Sequence, residues 1–88
     1  MKLIFCPECQ DIRKLDSTKV VCFCGISSGK YVDAVNAVIS GEAIPLGFDN
    51  FAFAKALFKR PTEGMGRRFQ AFVIPKICPT IKYVEKID

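Results

Sequence analysis

Histidine and tryptophan are absent from this 88-residue chain, and tyrosine occurs only twice. Without histidine there is no Ser-His-Asp or Cys-His nucleophile, and no Cys2His2 or His-rich metal site. Long apolar runs are also missing. The first, Leu3-Ile4-Phe5-Cys6, is ended at once by Pro7 and Glu8. A signal peptide needs about 7–15 apolar residues and a membrane span about 20, so the sequence reads as cytoplasmic with no membrane contact. The carboxylates form no pair with a recognised acid–base spacing. No catalytic residue is assigned, and the expectation is a protein that is not an enzyme.

What is present is globular. Half of the residues are hydrophobic and a quarter are charged, unlike a disordered chain. A chain this short buries only about 60–65% of its unfolded surface, so a covalent or metal staple would add stability. Composition shifts near residue 30. Residues 1–30 hold four of the five cysteines, whereas 31–88 hold most of the aromatic and branched residues. The expected layout is a zinc-ribbon-like segment over 1–30 and a compact α+β segment over 31–88, folding together as one unit.

Cys6-Pro7-Glu8-Cys9 and Cys22-Phe23-Cys24-Gly25 carry the strongest chemical signal. In a reducing cytosol, clustered cysteine pairs read as metal ligands before disulfides. Four thiolates complete a tetrahedral zinc site. Iron is chemically possible in the same ligand set, and a redox dithiol at Cys6 and Cys9 is a lesser alternative. The one-residue gap between Cys22 and Cys24 is shorter than usual and predicts a distorted second turn. Cys78 is surplus to a four-ligand site. It reads as a buried free thiol behaving as a small hydrophobe, or as a replacement for Cys22 or Cys24.

The two cysteine pairs resemble a zinc-ribbon or rubredoxin-type knuckle pair, over about a third of the chain. That resemblance implies a structural metal with no open coordination position. The whole chain also resembles small proteins of bacteria and phages. The residues that carry this likeness are Gly41-Glu42-Ala43-Ile44-Pro45-Leu46-Gly47-Phe48, Gly64-Met65-Gly66 with Arg67-Arg68-Phe69, and Cys78-Pro79-Thr80. A phage setting implies interference with a host defence as a candidate role.

Short strands are expected over 2–5, 12–15 and 19–22. Residues 34–40 fit a helical face as well as a strand. Asp49 or Asn50 can cap a helix running to Arg60, where Pro61 ends it. Phe51, Phe53, Leu57 and Phe58 leave this helix apolar nearly all round, which predicts deep packing or a partner. Residues 69–74 read as a central strand covered on both faces, and 80–85 as an edge strand. The expected fold is α+β: a small antiparallel sheet, one main helix and an N-terminal β-ribbon bearing the cysteines.

The net charge is +4, and all of that excess falls within residues 55–68, where Lys55, Lys59, Arg60, Arg67 and Arg68 face Glu63 alone. Glycines let backbone amides approach an anion, and arginines grip phosphate bidentately. Lys59, Arg60, Gly64, Gly66, Arg67 and Arg68 are therefore the candidate residues for an anionic ligand, a nucleotide messenger or nucleic acid. The plain alternative is a solvated helix end followed by a glycine turn. The Phe-rich helix supplies a competing reading, in which Phe51, Phe53, Leu57 and Phe58 form an interface to a protein partner or a homodimer. Gly25-Ile26-Ser27-Ser28-Gly29-Lys30 fails as a phosphate loop, because the glycine spacing is short and Tyr31 stands where Ser or Thr should bind magnesium.

Overall fold

The polypeptide alternates short strands with tight turns until a single helix interrupts it. A computed structural model describes residues 1–87. The strands are β1 (Lys2–Phe5), β2 (Ile12–Lys14), β3 (Val20–Val21), β4 (Ser28–Tyr31), β5 (Ala37–Ser40) and β6 (Ile44–Phe48). Helix α1 (Asn50–Phe58) follows, then β7 (Ala71–Val73) and β8 (Ile81–Tyr83). The class is α+β, as expected. In place of one antiparallel sheet there are two four-stranded sheets, ordered β2-β1-β6-β7 and β3-β4-β5-β8. All pairings are antiparallel except β5 with β8, which run parallel.

Residues 1–30 supply strands to both sheets: β1 pairs with β6, and β4, which runs across residue 30 to Tyr31, pairs with β5. The core likewise draws on both sheets, through Ile4 of β1, Ile39 of β5 and Ile81 of β8, with Leu15 and Ile74 from the connections. Burying each such Leu or Ile contributes roughly 1.5–3 kcal/mol. The backbone at Gly41 closes the β5–β6 turn in the left-handed region (φ 72), and a side chain there would run into the Ile26 carbonyl.

Residues 34–40 resolve as a turn followed by a strand. The Asp33 carboxylate accepts from Val35 N–H at 2.9 Å and Asn36 N–H at 2.8 Å. This local turn reverses the chain before β5 starts and removes the helical alternative.

Asp49 is the cap of α1, accepting from Ala52 N–H at 3.0 Å. The helix stops at Phe58, two residues short of Arg60. Deep packing, one of the two expectations for this apolar helix, is not seen: Ala56 is its only buried residue. Phe53 packs against Phe48 and Phe69, with ring centroids 5.4 and 4.7 Å away. Phe51 and Phe58 point to solvent, 81% and 90% exposed. The radius of gyration is 14.2 Å, against about 12 Å for a compact chain of this length, and α1 and the loop after it are largely exposed.

The expected central strand over 69–74 is corrected to a three-residue edge strand, exposed along its length. Its apolar side chains serve one contact rather than two covered faces: the Phe72 ring lies over Gly47 of β6, its register partner. β8 is an edge strand, as expected.

Candidate metal centre and basic cleft

The two cysteine pairs sit in the turns of two hairpins. Cys6 and Cys9 lie in the β1–β2 turn of one sheet, and Cys22 and Cys24 in the β3–β4 turn of the other. Both turns close over the same span. Cys6 N–H donates to Asp11 O at 3.0 Å and Cys22 N–H donates to Ser27 O at 2.9 Å, each five residues on. They differ inside that span. In the first, Gln10 N–H returns to Cys6 O at 2.7 Å, and Gln10 takes the left-handed conformation (φ 60). In the second, Gly25 N–H returns to Cys22 O at 3.1 Å, and Gly25 is the left-handed residue (φ 85). The shorter Cys22–Cys24 gap is thus absorbed by turning the chain one residue earlier.

All four Sγ atoms lie within 4.8 Å of one another. Cys6 Sγ is 3.7 Å from Cys24 Sγ, and Cys22 Sγ is 3.5 Å from Cys24 Sγ. A tetrahedron with metal–sulfur bonds near 2.3 Å has edges of about 3.8 Å, so the cluster has the dimensions of a four-thiolate site. Cys6 and Cys22 are buried, Cys9 is half-buried and Cys24 is exposed.

The thiols do not ionise alike. Burial disfavours the Cys22 thiolate, but the Ser27 N–H at 3.3 Å and the neighbouring thiols outweigh it and bring Cys22 down to about 6. At Cys24 an N–H from Ile26 favours the thiolate, yet partial desolvation and the adjacent sulfurs prevail and push it up to about 12. Adjacent sulfurs cannot all carry charge unless a cation offsets it, which is what a divalent metal supplies.

Two residues not singled out in the sequence support this cluster. Asp11 Oδ2 accepts from Phe23 N–H at 2.8 Å, joining one knuckle to the other, and from Arg13 Nε at 2.6 Å. Ser27 is fully buried and its N–H donates to Cys22 Sγ at 3.3 Å, yet its Oγ reaches no hydrogen-bond partner. Neither had a legible signal, since short polar residues near knuckles are ordinary turn formers. Cys78 lies outside the cluster, half-buried against the core, with its Sγ 3.5 Å from Thr80 Oγ1.

The basic segment forms a second feature. A cleft of about 280 Å³ opens between α1 and residues 60–69. Apolar Phe53, Leu57 and Phe69 are among its lining residues, as are Arg60, Glu63, Gly64, Gly66 and Arg67. Lys59 and Arg68 lie outside the lining. The Gly25–Lys30 stretch runs directly into β4 instead of a helix, so it has no phosphate-cradling helix end.

Comparison of the chain with protein-family models, curated proteins and solved structures finds no match. Among the described residues no helix is long and apolar enough to cross a membrane.

Proposed function

We propose that this protein is a non-catalytic binding module, stapled by one zinc ion on Cys6, Cys9, Cys22 and Cys24, that takes an anionic ligand at the cleft beside α1. The staple reading rests on the four Sγ atoms within 4.8 Å, contributed by hairpins of different sheets. Zinc is favoured over iron because it needs no redox role and suits a closed four-thiolate site. Its chemistry there is structural: it neutralises the thiolates and ties the hairpins together.

One observation carries the ligand reading. Arg60 and Arg67 flank the same cleft as Phe53 and Phe69, which pairs cationic donors with aromatic faces. A nucleotide offers the complement, a phosphate and a planar base. The test is titration with AMP and with a short single-stranded oligonucleotide at two salt concentrations. Binding should weaken with salt and fall on Arg60→Ala and Arg67→Ala, with Arg68→Ala as the milder variant. Salt-independent binding, or binding unchanged in both cleft variants, contradicts the reading.

The solvent-facing Phe51 and Phe58 favour a second reading, an interaction protein that inhibits a partner. Under this reading the protein acts as a phage-type counter-defence factor in the cytoplasm. It predicts a salt-tolerant complex or homodimer that is lost on Phe51→Asp or Phe58→Asp. Folded variants that still assemble contradict it.

A further inference from the structure

Resting on the metal reading above, we propose that Ser27 is a positioning residue of the metal centre, its buried hydroxyl donating to a ligand sulfur of the loaded site. Ser27 is 0% exposed and its Oγ has no hydrogen-bond partner. Its backbone N–H donates to Cys22 Sγ at 3.3 Å, which sets it at the four-thiol cluster, where Cys6 is also 0% exposed. Buried hydroxyls are almost always paired, so an orphan calls for an explanation.

The side chain has no route to water. Ser27 N–H is held by Cys22 Sγ at 3.3 Å, and Ser27 O by Cys22 N–H at 2.9 Å. Gly41 packs directly against the Ile26–Ser27 backbone with no room for a side chain of its own. The neighbouring Ser28 provides a contrast, because its buried hydroxyl is paired with that of Ser40.

A neutral thiol is a weak acceptor, whereas a thiolate accepts a charge-assisted bond. Metal binding requires the deprotonated sulfur. The Ser27 hydroxyl, which has no partner here, gains a charge-assisted acceptor when the cluster sulfurs become ligands. This differs from an ordinary structural serine, whose removal harms both states equally.

The experiment compares the full-length wild type with Ser27→Ala and Ser28→Ala. Zn2+ affinity is measured by competition with a chromophoric chelator, the thiolate-to-metal band is recorded with Co2+, and melting is followed with and without metal. Ser27→Ala should weaken Zn2+ binding about 10-fold or more and shift the Co2+ band, while the metal-free midpoint holds or rises. Ser28→Ala should lower both midpoints and leave Zn2+ affinity intact. Wild-type affinity in Ser27→Ala, or equal falls in its metal-free and metal-loaded midpoints, overturns the Ser27 assignment alone. A wild type that binds neither Zn2+ nor Co2+ overturns the metal reading and this inference with it.

Discussion

The Asp11 carboxylate accepts the backbone N–H of Phe23 at 2.8 Å, so the loop after the first cysteine pair holds the loop between the second. The hydrogen bond from Arg13, followed by the Phe23 N–H, keeps this carboxyl below the usual range despite partial desolvation. Asp11→Ala leaves all four thiols in place but frees one knuckle from the other. Metal affinity should fall on the order of tenfold in a chelator competition, with a stoichiometry still of one. Unchanged affinity would show that the knuckles are aligned without this contact.

Gly41→Ala should be among the most damaging single substitutions. The position is left-handed (φ 72), and the new methyl would meet the Ile26 carbonyl. Backbone strain and overpacking together predict a loss of about 2–4 kcal/mol in urea unfolding. Gly25→Ala, left-handed at φ 85 but facing open space, should lose only about 1 kcal/mol.

Asp33 makes a pH prediction. Hydrogen bonds from the Asn36 side chain first, then from the Asn36 and Val35 N–H groups, hold its carboxyl below the ordinary value. A folded-state pKa lowered in this way stabilises the protein above the unfolded value of about 3.9, and that stability is lost as pH falls through the folded value. Asp33→Ala should therefore be less stable than wild type at neutral pH, with the gap closing in acid. A gap that is constant from neutral to acid pH would contradict the turn's role.

The aromatic residues of α1 should divide sharply. Phe53→Ala opens the cluster with Phe48 and Phe69 and should cost about 2 kcal/mol, less than a fully buried phenylalanine. Phe51→Asp should change stability by no more than about 0.5 kcal/mol. It removes an exposed ring and places a carboxylate in a first turn that has no acidic residue, where the helix dipole favours it. Thermal melts of the two variants check this.

The four-cysteine cluster was legible because thiol chemistry is confined to a few residue types and their spacing survives folding. A cap at Asp49 or Asn50, of which Asp49 serves, and the edge position of β8 were legible for a similar reason, as both follow from local sequence. The two-sheet division was not. It depends on contacts such as Leu15 against Gly29, which pass between separate hairpins. Phe72 and Val73 read as covered on both faces because both are apolar, whereas Phe72 caps a glycine across an open edge. The parallel pairing of β5 with β8 follows a return turn at Cys78–Ile81, which no local pattern specifies. Arg60 and Arg67 were singled out by charge, but their division from Lys59 and Arg68 depends on where the loop folds back on α1.

The most direct test of the account is a native mass spectrum of the untagged protein purified from cells at low salt, alongside Cys22→Ser. The account predicts a wild-type chain carrying one zinc, with only Cys78 open to alkylation under native conditions, and a variant that loses both the metal and stability. A wild type at the metal-free mass with all five thiols reactive would contradict it.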